Sequence, residues 1–179
     1  MENVNIGLSA EQRRGSVTIL NKVLSNEMLL LIKTRKFHWD VVGPQFMTLH
    51  KLWDEQYEKI SDFVDEVAER IRALGSYPVG TAKGFIEGAI LEEHPGRVHS
   101  ATESVVALVT DHESIIRDLR QGIDKVEEES RDKGTADFLT GIMEAHEEMA
   151  WMLRSFLEGE AVQADGKAPP AKGSVPHYA

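Results

Sequence analysis

Five side chains in the first half of the sequence have the types and spacing of a metal site: His38, His50, Asp54, Asp65 and Glu69. His50 and Asp54 stand four residues apart, and so do Asp65 and Glu69. On an α-helix, residues four apart lie one above the other, so each pair can close on a single ion. The pooled donors are two imidazoles and three carboxylates. That mixture suits iron or manganese; zinc would also bind, whereas calcium would want oxygen alone.

Four of the five must ride on one helix, which the pattern places over about 44–74. Its apolar residues Leu49, Trp53, Ile60, Val64, Val67, Ile71 and Leu74 step by three, four or seven and form one narrow stripe. The four ligands fall roughly 80–180° away from that stripe on the helical wheel. If the stripe is the chain's own core, the ligand face looks outward. Asp54 and Asp65 are eleven residues apart, about 16 Å along the axis at ~1.5 Å per residue, so no single ion reaches both from one helix. The two pairs are, however, symmetric about the midpoint between Lys59 and Ile60. An antiparallel copy related by a two-fold axis there would set His50 and Asp54 of one helix against Asp65 and Glu69 of the other. A two-fold contact repeats, so such a dimer would hold two sites. His38 fits the same geometry: it lies six residues before Pro44 and His50 lies six after it. If one helix ends near Asp40 and its antiparallel successor starts near Pro44, the two histidines stand at similar heights.

The remaining elements follow from capping and periodicity. Residues 1–8 read as a short polar arm. Ser9-x-x-Gln12 is a capping box opening a first helix over about 10–39, with Val17, Leu20, Leu24, Met28 and Leu31 at helical spacing. Gly75 is placed to close the second helix. The glycine- and proline-punctuated stretch 76–97 has room for a short helix near 83–91. A third long stripe, Val105, Leu108, His112, Ile115, Leu119, Ile123 and Val126, starts from about Val98. A fourth, with Thr135 expected as its N-cap, carries Phe138, Ile142, Met149, Met152, Leu153 and Phe156 to near Gly159. Residues 160–179 lack an apolar period and read as a flexible tail. The chain is thus expected to be all-α: a four-helix bundle over 9–159 with a short extra helix between the second and third long ones.

Composition narrows the function classes. The formal net charge of −10 opposes a surface built to grip phosphates and favours attraction of cations. With no cysteine, thiol chemistry and iron–sulfur clusters are excluded. No signal-like N-terminus and no apolar run of about 20 residues is present, so the expected location is the cytoplasm. Charged residues four apart usually form a merely solvated face. Two mirrored pairs with a third ligand at the right height make the metal site the stronger reading. Glu-x-x-His, which carries di-iron sites inside many bundles, does not occur, and this favours an interface site. His112 lies on an apolar stripe and reads as a hydrogen-bonded core residue, as Trp53 reads as a core aromatic. Glu92-Glu93-His94, His177 and the His146-Glu147 pair show no ligand spacing.

Three runs together carry a resemblance: Lys36-Phe37-His38-Trp39-Asp40-Val41-Val42-Gly43-Pro44-Gln45-Phe46, His50-Lys51-Leu52-Trp53-Asp54, and Asp65-Glu66-Val67-Ala68-Glu69-Arg70. They closely resemble the Dps family, the DNA protection during starvation proteins, miniferritins of the ferritin-like superfamily. The resemblance extends over about residues 10–158. It implies a ferritin-like four-helix bundle assembled as a hollow homododecamer, with ferroxidase centres shared across two-fold interfaces. His38, His50 and Asp54 would come from one subunit, and Asp65 and Glu69 from its neighbour. By resemblance the substrates are Fe(II) and hydrogen peroxide, the product is stored ferric mineral, and DNA is protected from oxidative damage. Trp39 and Trp151 match tryptophans near that centre. Asp137 and Glu147, with Glu144 a possible addition, match positions lining acidic iron-entry pores. The chain departs from the DNA-binding members: residues 1–12 contain no Lys or Arg, and Arg13-Arg14 fall inside the first helix. Twelve copies would carry roughly −120 at −10 each, so direct DNA binding is not expected at ordinary salt. The alternative functions are a DNA-compacting shell, or a zinc or manganese buffer using the same ligands without turnover.

Overall fold

The computed structural model describes residues 4–158; the flexible-tail reading of 160–179 lies outside them. Five helices occur there in the order α1 Ala10–Asp40, α2 Phe46–Ala73, α3 Ala82–Gly88, α4 Ala101–Glu128 and α5 Lys133–Arg154, with no strand among the described residues. The four long helices form the expected bundle. α1 packs chiefly on α2, and α4 on α5, while α1 also meets α3 and α4.

Local chemistry sets the ends of these helices. Ser9 Oγ accepts from the Gln12 amide at 3.2 Å and Gln12 Oε1 accepts from the Ser9 amide at 2.8 Å, the reciprocal capping box read from sequence. α2 stops where Gly75 takes φ +79°, with Ser76 N donating to Ile71 O at 3.1 Å and Gly75 N to Arg72 O at 2.9 Å. Those two bonds satisfy carbonyls that the helix end would otherwise orphan.

Several expected boundaries need correction: α2 begins at Phe46 and not near 44, α3 ends at Gly88 and not at 91, and α5 ends at Arg154 and not near Gly159. α4 begins at Ala101, three residues later than Val98, because Ser100 and Glu103 form a second capping box. α5 is capped by Asp132, not Thr135: Asp132 Oδ1 accepts from the Thr135 amide at 3.1 Å and Oδ2 from the Thr135 hydroxyl at 2.6 Å. Arg70 of α2 donates to the same two residues, at 3.0 Å to Thr135 Oγ1 and 3.1 Å to Asp132 Oδ1. A single buried carboxylate therefore starts α5 and ties it to α2.

The stripe on α2 is core, as its period required. Leu49, Trp53, Ile60, Val67, Ile71 and Leu74 have no exposed surface, and Phe63, rather than Val64, completes the row. His50, Asp54, Asp65 and Glu69 consequently lie off the core face, with Asp65 and Glu69 exposed. Among the described residues no helix is long and apolar enough to cross a membrane.

Candidate metal centre

The short turn between α1 and α2 brings the last turn of one helix beside the first turns of the other. His38 and His50 meet there with their rings stacked, centroids 3.7 Å apart and planes 17° from parallel. His38 Nδ1 donates to the His50 carbonyl at 2.8 Å, and His50 Nδ1 donates to the His38 carbonyl at 2.9 Å. A carbonyl can only accept, so each Nδ1 carries its hydrogen. A neutral ring so held leaves Nε2 as a bare lone pair, the form in which imidazole binds a metal. The reciprocal pair thus fixes both tautomers and both ring orientations before any ion arrives.

Asp54 lies one turn beyond His50. Its Oδ1 stands 4.0 Å from His38 Nε2, so the carboxylate borders the free nitrogen of that imidazole. Tyr57 donates its hydroxyl to the same Oδ1, which raises the phenol's pKa above its ordinary value and keeps it protonated. Its ring meets His38 edge-on at 5.3 Å, and the Arg35 guanidinium lies over it at 4.9 Å. Phe46 stacks on the far side of His50 at 4.9 Å. Beneath, Phe37 and the buried Trp53 pack 6.2 Å apart. His38, His50 and Asp54, bordered by Phe46, Phe37 and Trp53, make up an incomplete ligand set.

The other two expected ligands are elsewhere on the chain. Asp65 and Glu69 share the outward face of α2, eleven and fifteen residues past Asp54. Among the described residues, no group of three or more histidines and carboxylates is gathered tightly enough to hold an ion within one chain. Large apolar side chains lie bare beside the half-set: Trp39 is 71% exposed, Val42 77% and Met47 56%.

Other expected positions separate. Trp151 is exposed on α5, as are Asp137 and Glu144. Glu147 is not free acid: it pairs with Arg120 of α4. His94 and His99 sit in the α3–α4 loop 5.6 Å apart, and His99 meets Phe37 edge-on at 5.1 Å. Burial, reinforced by Arg97 and His94, lowers the pKa of His99.

Sequence reasoning passed over one constellation. His146, set aside for want of ligand spacing, lies at the bundle centre with no exposed surface, beside Glu27 and His112, which are equally buried. His112 Nδ1 and His146 Nδ1 are 2.8 Å apart, and His146 Nε2 is 2.9 Å from Glu27 Oε1. This chain of three polar groups joins α4, α5 and α1. His112 is core as expected, and burial pushes its pKa well below the ordinary imidazole value. Glu27 Oε2 and His112 Nε2 have no hydrogen-bond partner. The available signal was that His146 falls at helical spacing between Ile142 and Met149, and Glu27 falls within the apolar run of α1.

A bundle of four long helices with a short crossover helix is the architecture of the ferritin-like class. The chain matches the ferritin-like domain family over residues 17–161. Within that class it belongs to the Dps family. It is 38% identical over 141 residues to DNA protection during starvation protein 2 of Bacillus anthracis, covering 79% of this chain and 95% of that protein. It is also 53% identical over 176 residues to an uncharacterized low temperature-induced protein of Nostoc, covering 98% of each. Among solved structures it resembles the Dps protein of Vibrio cholerae, described as a member of a broad superfamily of ferritin-like diiron-carboxylate proteins. That match has a TM-score of 0.81 at 28% identity and covers 88% of this chain and 98% of the other.

Proposed function

We propose that this protein is a ferroxidase and iron store. It binds Fe(II) at His38, His50, Asp54, Asp65 and Glu69, oxidises it with hydrogen peroxide in preference to dioxygen, and retains the ferric product. The observation that carries this reading is the reciprocal histidine clamp. Two part-buried Nδ1–H···O=C bonds leave both Nε2 lone pairs bare, that of His38 4.0 Å from the Asp54 carboxylate. A histidine pair with a purely structural role would not need both outer nitrogens free. Neutral imidazole and carboxylate together hold Fe(II), and the hard oxygens favour the ferric product. Two Fe(II) ions supply the two electrons that reduce one peroxide to water, so a paired site suits peroxide.

The half-set is completed by a second copy of the chain. The two-fold placement of Asp65 and Glu69 supports this, as does the bare apolar surface at Trp39, Val42 and Met47 next to the open side. The working assembly is a homododecamer whose two-fold interfaces each hold two sites. Consumption of Fe(II) and peroxide together protects the cell and its DNA without direct DNA binding.

Mixed assembly tests the shared site. His50→Ala/Asp54→Ala and Asp65→Ala/Glu69→Ala variants, each assembled to the parent size, should be nearly inactive alone. Co-expressed with random pairing, about half the dimers are mixed and each carries one intact site of two. Roughly a quarter of parent peroxide-dependent Fe(II) oxidation should therefore return. Full assembly with no recovery rejects the shared site. Ferric precipitate forming at the protein-free rate in the parent rejects the ferroxidase reading altogether.

A further inference from the structure

Tyr57 is the polar group in closest contact with the half-set that the ligand list does not use. Its hydroxyl donates to Asp54 Oδ1, its ring edge abuts His38, and Arg35 covers its face. The ring is thereby fixed from two sides, and with it the position of the phenol oxygen. Asp54 has no comparable restraint of its own. Its side chain is nearly half exposed, and the terminal torsion of an aspartate is broad, so the carboxylate would otherwise swing freely.

We propose that Tyr57 is a positioning residue for the metal site: held by Arg35 and His38, it aims the Asp54 carboxylate at the ion and makes it a one-oxygen ligand. The inference rests on the metal-binding reading above and deepens it. An Oδ1 that already accepts a phenol hydrogen is a weaker donor than a bare Oδ2, so Asp54 presents one strong oxygen rather than chelating with both. That leaves coordination room for a second ion, a peroxide oxygen and the neighbour's carboxylates. The chain of contacts Arg35–Tyr57–Asp54 runs from α1 to α2 and back to the site. It couples the aim of the ligand to the same helix pair that carries His38 and His50. Partners that orient a metal's direct ligands typically change affinity or activity about 10- to 100-fold when removed.

The test uses redox-inert probes, Zn(II) and Co(II), on the assembled protein without oxidant. Tyr57→Phe keeps the ring, its contact with His38 and the cover of Arg35, and removes only the hydroxyl. Expected are a 10- to 100-fold weaker Zn(II) affinity by calorimetric titration and an altered visible band of bound Co(II), with the parent's unfolding midpoint and size retained. In Fe(II) oxidation the same variant should raise KM more than it lowers kcat. In the parent, Zn(II) binding should perturb the near-ultraviolet tyrosine signal, and Tyr57→Phe should abolish that change. Arg35→Gln, which loosens the ring but keeps the hydroxyl, should give a smaller loss of the same kind.

The outcomes separate the two claims. Parent protein whose Zn(II) binding is indifferent to His50→Ala overturns the metal-site reading itself. Parent binding that depends on His50, with Tyr57→Phe giving the same affinity and the same Co(II) band, overturns the role of Tyr57 and leaves the site standing. A variant that loses affinity only in proportion to a lowered unfolding midpoint also overturns it, since the hydroxyl would then be structural.

Discussion

Replacing His146 by leucine should be among the most damaging single changes this fold can suffer, although His146 is far from the proposed site. Glu27 and His146 are both wholly buried, and the Nε2 of His146 at 2.9 Å is the hydrogen-bond donor to Glu27 Oε1. The other oxygen, Oε2, already has no partner. His146→Leu therefore strands the buried acid group of Glu27 without its hydrogen-bond partner. Breaking a buried pair from one side costs about 3–5 kcal/mol. For a chain of this size about 2–4 °C of Tm accompanies each kcal/mol, which gives a fall of roughly 6–20 °C. Removing the whole polar chain has the opposite logic. In Glu27→Leu/His112→Leu/His146→Leu no charge is left unpaired, and apolar replacement of buried ionic groups is often neutral or stabilising by about 1–4 kcal/mol. The assay is thermal and urea unfolding of all variants at one protein concentration, because assembly makes apparent stability concentration-dependent. A single variant that loses less than about 1 kcal/mol, or a triple variant less stable than the single, would refute the reasoning.

Stability should also fall on acidification in a way that His112 controls. Its folded pKa is pushed well below the ordinary value of 6.5 by burial, with His146 adding to the shift. The unfolded chain then takes up a proton below about pH 6.5 that the folded chain refuses, so the stabilisation present above that pH is lost at up to ~1.4 kcal/mol per pH unit. His112→Leu should flatten that limb in urea titrations between pH 6.5 and 5. Asp132→Ala removes the cap of α5 and the acceptor of Arg70 together, and should cost about 2 kcal/mol or more by urea midpoint. Finally, no stable DNA complex should appear in gel-shift experiments at physiological salt. Each chain carries −10, and Arg13 is turned inward, donating to the Leu74 carbonyl at 2.9 Å. A retained band would send the search to cation bridges.

The sequence alone determined the helices, their core faces and the identity of the candidate ligands. The reason is that helical order is local. Residues three and four apart share a face whatever else the chain does, so Leu49 to Leu74 announced their burial and His50 and Asp54 their common side. Capping is local too, and it succeeded at Ser9 and Gly75. It failed at Thr135 because two eligible acceptors stand three residues apart, and the choice of Asp132 depends on Arg70, sixty-two residues away in sequence. What only the tertiary structure decided was which polar atoms face one another across helices. The reciprocal bonds of His38 and His50, the edge contact of Tyr57 with His38 and the pairing of Glu147 with Arg120 depend on how one helix is rotated against its neighbour. The Glu27–His146 contact, 119 residues apart, depends on how two hairpins meet. No period within a single helix encodes that rotation; it is set by the packing of all four.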